Sequence, residues 1–391
     1  MISDDIKSRI CGSAIAGACG DALGAPFDFL RLPAILERTG SEGITKFHLY
    51  DPAAPELAEF GPGALKGFGI STDDTAMTVA VAVGIMKGRT QDEVIYFIHQ
   101  ALLRWGQHQP WKQADYTPFM DKIDWPDWFD AFCVGTGAGP STMSALDQGK
   151  IGTLEKPLFV SKWKKPDTKE PNNGCGGMIR TAPVGWFAAM GLITHPYRFG
   201  TRVAAITHGG HDAMRFSGAI SALIKDLVIG KSWDDAASLM VADLSRMASI
   251  PAAKLAYNIL AVGKKYGPAM NFDVVERLPV EMEVAQPGKY FGYFLSGSVF
   301  VQALAICAAA QTWKSDHIGR ALTLAATQSG DSDSTAAIVG NILGAQFGYD
   351  AIPKHLSDNL YHGQALMDMT QSVIASEEKR AVTPALRNLK L

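Results

Sequence analysis

The stretch Ser329-Gly330-Asp331-Ser332-Asp333-Ser334-Thr335-Ala336-Ala337-Ile338-Val339-Gly340-Asn341-Ile342-Leu343-Gly344-Ala345-Gln346-Phe347-Gly348 sets two carboxylates one residue apart, among hydroxyls, at the head of an apolar run. Small residues recur at Ala336, Gly340 and Gly344. A spacing of four lays them on one helix face, and a face of alanine and glycine admits another backbone closely. The expectation is an oxygen-rich loop feeding a tightly buried helix, with Ser334 or Asp333 as its N-cap. The helix dipole favours a carboxylate there, so capping accounts well for one aspartate and poorly for two.

Hard cations such as Mg²⁺, Mn²⁺ and Ca²⁺ take oxygen ligands. The D-x-D start is that of an EF-hand. Counting from Asp331, however, Ala336 stands where that loop needs glycine and Ile342 where it needs glutamate, which excludes it. A site made of Asp331, Asp333 and Ser334 alone is incomplete. Ser71-Thr72-Asp73-Asp74-Thr75 repeats the architecture, with hydroxyls and two carboxylates ahead of the apolar residues 76–83. Two adjacent aspartates at a helix start cannot both cap it, and they repel unless something positive sits between them. Thr72, Asp73, Asp74, Asp331, Asp333 and Ser334 are too many donors for one Mg²⁺, which usually keeps several waters. They suit a pair of ions at roughly 3.5–4 Å.

The composition, 47% hydrophobic and 19% charged over 391 residues, is that of an ordinary soluble globular protein. A net charge of −3 gives no sign of a nucleic-acid surface. No run of about 18 apolar residues is free of charges and polar breaks, so no membrane span is expected. Five cysteines, an odd count without C-x-x-C, fit reduced thiols in a cytoplasm.

Residues 4–23 read as a helix whose small face is Gly12, Ala16 and Gly20, stopped by Pro26. Asp21 is a charge within that apolar stretch, and Asp28 follows the break, where a side chain can point into a pocket. Residues 31–70 read as loop, 91–108 as helix, and the Trp- and Pro-rich 109–135, including Trp111, as an irregular flap or an aromatic-anchored loop. Gly135-Thr136-Gly137-Ala138-Gly139 is not a dinucleotide fingerprint. Residues 160–173 read as a polar connector. In Gly174-Cys175-Gly176-Gly177-Met178-Ile179-Arg180, the glycines expose backbone N–H groups suited to phosphate or ribose oxygens. Arg180 either pairs with a phosphate or holds the fold, and Cys175 has no base partner in its neighbourhood. His208 and His211 are spaced H-x-x-H but lack a third zinc ligand, which favours a structural or substrate-touching His208. Further helices are expected at 211–230, 233–247, 252–264, 292–312, 317–328, 334–347 and 354–375. Lys225 stands where a P-loop needs its first glycine, and no G-x-S-x-G occurs. The class is all-α, a single domain built around the two Asp-bearing helix starts.

With both Asp stretches placed, the chain resembles the ADP-ribosylglycohydrolase family, which includes the dinitrogenase-reductase-activating glycohydrolases. The resemblance is carried, in order, by Gly20-Asp21-Ala22-Leu23-Gly24-Ala25-Pro26, Ser71-Thr72-Asp73-Asp74-Thr75, Gly174-Cys175-Gly176-Gly177-Met178-Ile179-Arg180, Ile206-Thr207-His208 and Gly330-Asp331-Ser332-Asp333-Ser334-Thr335-Ala336-Ala337. It implies an orthogonal helical domain with a central binuclear cleft, two Mg²⁺ or Mn²⁺ ions, and removal of ADP-ribose from modified protein side chains. It implies Thr72, Asp73, Asp74, Asp331, Asp333 and Ser334 as ligands, with Ser334 where many members have Thr. Asp28 stands where many have Glu, a substrate-gating and acid/base-assisting position. The implied catalytic set is Asp28, Asp74 and Asp333, and the substrate-binding set Asp21, Gly174, Cys175, Gly176, Gly177, Arg180 and His208. Phe132-Cys133-Val134-Gly135 replaces the Phe-Asp-Ile-Gly run of the nitrogenase-linked members. The expected partner is an ADP-ribosylated protein or ADP-ribose. Alternatives are a metal-dependent phosphohydrolase of ADP-ribose or a nucleotide, which would yield AMP or phosphate, and a non-catalytic ADP-ribose-binding relative.

Overall fold

The computed structural model describes residues 2–48, 67–110, 112–134, 137–162, 165–286 and 290–380. Trp111, Gly135 and Thr136 lie outside the described residues, as does the middle of the 31–70 stretch. The described elements in chain order are α1 (Asp4–Gly24), α2 (Leu32–Thr39), α3 (Asp73–Lys87), α4 (Gln91–Gln107), α5 (Asp127–Asp130), α6 (Pro140–Leu146), a hairpin of β1 (Phe159–Lys162) and β2 (Lys165–Pro171), and α7 (Ala182–Ala189). There follow α8 (Pro196–Ala205), α9 (His211–Val228), α10 (Trp233–Met247), α11 (Ile250–Tyr266), α12 (Phe272–Glu281), α13 (Ser296–Ala310), α14 (His317–Ala326), α15 (Ser332–Phe347), α16 (Lys354–Ser357) and α17 (Gly363–Arg380).

The all-α expectation holds, with local corrections. The 160–173 connector is an antiparallel hairpin that pairs Phe159 with Pro171 and Val160 with Glu170. The 31–70 loop contains α2, where Pro33 sits in the first turn and Leu32 and Ile35 are buried. The expected 354–375 helix is split between α16 and α17. Between them Tyr361 N donates to Gly69 O at 2.9 Å, so the chain leaves helical geometry to pair with another segment. Residues 109–135 are anchored by aromatics: Tyr116 and Phe129 are fully buried, and Tyr116 donates its hydroxyl to Asp147 Oδ1 at 2.9 Å.

The centre of the fold is the antiparallel pair α1 and α15. A Cβ on Gly340 would lie 2.1 Å from Ala16 O, one on Gly344 2.1 Å from Gly12 O, and one on Gly20 2.2 Å from Ala336 O. The two small faces read from the sequence therefore face each other, backbone on backbone. Buried contacts tie in a third helix: Trp186 Nε1 of α7 donates to Ser13 Oγ, which donates to Asn341 O, both at 2.8 Å. The segment Asp4–Phe27 is long and apolar enough by composition to cross a membrane, but 89% of that window is buried inside this protein.

Backbone atoms at 2.1 Å cannot rotate away as a side chain would, so Gly340→Ala should destabilise the fold by about 3 kcal/mol, the upper end for overpacking. Urea unfolding measures this. Gly139→Ala is the control, because there the nearest atom to an added Cβ is Thr142 Oγ1 at 3.8 Å.

Candidate functional site

The register of α1 against α15 brings Gly24 onto the backbone of Asp333, where a Cβ would lie 2.4 Å from Asp333 N. The end of α1 thus meets the start of α15. Pro26 breaks the helix into a turn at Ala25–Phe27, and Asp28 follows. Carboxylate oxygens of Asp28, Asp331 and Asp333 lie within 4.8 Å of one another. Asp331 occupies the N-cap position of α15 without a side-chain capping bond, which corrects the assignment of the cap to Ser334 or Asp333.

The third contributor is the start of α3, which Asp21 holds in place from α1. Its buried carboxylate accepts from Thr72 N at 2.9 Å, Thr72 Oγ1 at 2.8 Å, Thr75 N at 3.0 Å and Thr75 Oγ1 at 2.6 Å. Asp21 satisfies the amides that a local cap would normally bind. That corrects its assignment to substrate: its oxygens are fully engaged within the fold. With Asp21 serving α3 in this way, neither Asp73 nor Asp74 is needed as a cap.

The remaining aspartates share one electrostatic condition. Asp28, Asp73, Asp74 and Asp333 are each pushed well above the usual carboxylate range, first by burial and then by the charges of neighbouring aspartates, Asp21 and Asp331 among them. Asp331 is raised by burial, and hydrogen bonds from Cys175, Ser334 and Asp333 act against the shift. Asp333 Oδ1 accepts from Ser334 N at 2.8 Å. Buried Asp74 Oδ2 has no protein partner among the described residues. No described lysine or arginine forms an ion pair with any of the five. An anionic all-oxygen donor set with an orphaned acceptor and no internal cation fits a hard divalent ion. Asp28, expected beside the ligand set, lies inside the cluster.

The glycine turn borders the same space. Gly174 N donates to Asn172 Oδ1 at 2.9 Å, and Cys175–Gly177 forms one 3-10 turn. Cys175 Sγ donates to Asp331 Oδ2 at 2.6 Å. Burial and the Asp331 and Asp74 charges push this thiol up, so it is a protonated donor and no nucleophile. A Cβ on Gly176 would lie 3.1 Å from His208 Cε1 and 3.2 Å from Thr142 Oγ1, and one on Gly177 2.8 Å from His208 Cβ. These glycines make room for His208, a different reason from close ligand approach. Arg180, expected against a phosphate, is fully buried and donates to Val203 O at 3.0 Å and Thr207 Oγ1 at 2.8 Å. It holds the fold, because its guanidinium is directed into the chain that carries His208. His208 is buried while His211 is exposed at the start of α9, and neither joins the described metal-competent group.

Several neighbours went unread in the sequence. Gly137 adopts φ +77° and its missing Cβ would lie 3.3 Å from Asp73 Oδ1. Phe29, next to Asp28, has φ 63°, is 65% exposed and stacks on Phe294 at 5.0 Å. The glycine run around Gly137 was a signal; for Phe29 there was none. A cavity of about 750 Å³ lined by Met270, Asp316, Arg320 and His355 contains none of the site's carboxylates.

The core pair of this helical fold ends in a cluster of aspartates, and comparison with known proteins gives the class. The ADP-ribosylglycohydrolase family model matches residues 2–382, so the chain belongs to that family. It is 23% identical over 382 residues to an ADP-ribosylarginine hydrolase, Tri1, of Serratia proteamaculans (strain 568), covering 96% of this chain and 81% of that protein. Among solved structures, an ADP-ribosylglycohydrolase-related protein complex superposes with a TM-score of 0.52 at 18% identity, covering 96% of this chain and all of the other.

The raised carboxylates carry a pH signature. An aspartate whose folded pKa exceeds its unfolded value contributes stability that is present at low pH and lost as pH rises through the folded pKa. In chelator, Asp74→Asn should therefore be more stable than the unsubstituted protein at about pH 8, with the gap closing toward about pH 4, where Asp74 is protonated. Thermal melts of both proteins across that range check the sign.

Proposed function

We propose that the protein hydrolyses the bond between the anomeric carbon of ADP-ribose and an arginine side chain of a modified protein. The reading includes two Mg²⁺ or Mn²⁺ ions, a cytoplasmic setting and a chain acting as one domain. The observation that carries it is the carboxylate cluster around an unpartnered Asp74 Oδ2, with which no described lysine or arginine pairs. Family membership supports the bond class, and the Serratia relative's name supports arginine as the linkage.

Thr72, Asp73, Asp74, Asp331, Asp333 and Ser334 would hold the ions. When bound, the ions supply Lewis acidity, lower the pKa of water and orient oxygen ligands. The chain's own carboxylates do the rest. Asp28 is partly exposed, and burial and the Asp331 charge raise its carboxyl above the usual range, which makes it a stronger base than an ordinary aspartate and fits it to take a proton from the attacking water. Asp74 and Asp333 surround the same space and tolerate oxocarbenium-like charge as the leaving side chain departs. The amides of the glycine turn and the buried donors below it orient the ligand, which supplies much of the barrier reduction.

EDTA should abolish release of ADP-ribose from arginine-modified protein, and Mg²⁺ or Mn²⁺ should restore it; full activity in chelator would sink the ion-dependent reading. A serine-linked substrate run in parallel tests the linkage, and AMP or phosphate in place of free ADP-ribose would mean a phosphohydrolase.

The carboxylates should also separate by role. Asp333→Asn should weaken Mg²⁺ binding in calorimetry by about 100-fold or more, since even outer partners of a metal are worth tenfold to a hundredfold. Asp28→Asn should keep most of that affinity and lose about 10²–10⁴ in turnover. The opposite pattern would exchange their assignments.

A further inference from the structure

Below the glycine turn lies a chain of buried polar groups in which the proton between Thr207 and His208 can be assigned. Arg180 Nη2 donates to Thr207 Oγ1 at 2.8 Å. A guanidinium accepts nothing, so the hydroxyl oxygen is the acceptor in that bond. Thr207 is fully buried, and its own proton needs an acceptor within the protein. His208 Nδ1 lies 2.7 Å from Thr207 Oγ1. If Nδ1 carried the proton, the hydroxyl oxygen would receive two donors while its own proton was buried without a partner. The consistent assignment is Arg180 to Thr207, Thr207 to an unprotonated Nδ1, and the imidazole proton on Nε2.

Nε2 is the other end of a ring only 2% exposed, and it has no hydrogen-bond partner among the described residues. It lies 3.2 Å from where a Cβ on Gly176 would sit and 3.6 Å from where one on Gly174 would sit. Because both positions are glycine, no side chain of the turn stands over it. The neighbouring Cys175 reaches Asp331, so the glycine turn adjoins the carboxylate cluster. Burial and the Arg180 charge both act against an imidazolium.

We propose that Arg180 and Thr207 are positioning residues that fix His208 as its neutral Nε2–H tautomer, presenting one donor through the glycine turn to an acceptor oxygen of the bound ligand. Naming the ligand as ADP-ribose rests on the glycohydrolase reading; the tautomer does not.

The test is ¹H–¹⁵N correlation of the full chain labelled at histidine nitrogen, with the His208 signals assigned by their loss in His208→Gln. The expected result is a pyridine-type Nδ1 and a pyrrole-type Nε2, retained in Thr207→Ser. Thr207→Val should lose that preference and bind ADP-ribose about tenfold more weakly, the scale of one misdirected hydrogen bond. ADP-ribose should shift the Nε2 signal of the unsubstituted protein. A matching shift with ADP but not adenosine assigns the contact to a phosphate oxygen, and a shift with ADP-ribose alone assigns it to the distal ribose. A pyrrole-type Nδ1 in the unsubstituted protein, or an unchanged tautomer in Thr207→Val, overturns the proposal. If Thr207→Val does not fold, the spectra of the unsubstituted protein and Thr207→Ser decide. An unmoved Nε2 signal with ADP-ribose, while hydrolysis proceeds, overturns the donor role and leaves the glycohydrolase reading intact. Absent hydrolysis with the tautomer and the shift both as stated sinks that reading alone.

Discussion

The backbone-to-backbone contact of α1 with α15 is the constraint on which the site depends. Carbonyl oxygens of one helix occupy the space where β-carbons would stand on the other, at Gly344 over Gly12, Gly340 over Ala16 and Ala336 over Gly20. A contact of that kind has one register, because a slip of one residue would drive a β-carbon into a carbonyl. The register continues to Gly24 over Asp333, so the turn after α1 delivers Asp28 to Asp331 and Asp333. Asp21, one turn back on α1, grips the start of α3 and delivers Asp73 and Asp74. One helix therefore aims the carboxylates of two others.

That arrangement gathers carboxylates with which no described lysine or arginine forms an ion pair. Burial and mutual repulsion raise Asp28, Asp73, Asp74 and Asp333 together. The N-termini of α3 and α15 both open onto the cluster, and their dipoles offset part of the repulsion. The described ion pairs lie elsewhere and mostly at the surface, as between Lys7 and Asp4, where each contributes little. A fold that gathers buried carboxylates without pairing them concentrates local destabilisation where function is expected to reside.

The glycine turn adds a second layer with its own logic. Its missing side chains admit the His208 ring from below, while Cys175 reaches across to Asp331. Arg180 and Thr207 are fully buried and are joined to the His208 ring by hydrogen bonds. The bonds from Arg180 to Thr207 and between Thr207 and His208 run in sequence, so each restricts the next.

The sequence by itself determined the all-α class, the two aspartate-bearing helix starts and the two small-residue faces. All of these are periodic or local: a four-residue spacing marks a face, and paired carboxylates ahead of an apolar run mark a helix start. It also placed Asp28 after the proline break, where its side chain was free to enter a pocket. Which way the lone charges turn follows from packing alone. Asp21 and Arg180 sit in motifs that adjoin the site, yet both are directed into the fold, because buried amides and carbonyls within reach required them. Phe29 stands in a left-handed conformation that its residue type does not announce. The pairing of Gly69 with the chain between α16 and α17 joins segments almost three hundred residues apart, which no local pattern encodes. Periodicity is a property of a single helix, whereas the direction and partners of a buried charge depend on groups that only packing brings within hydrogen-bond range.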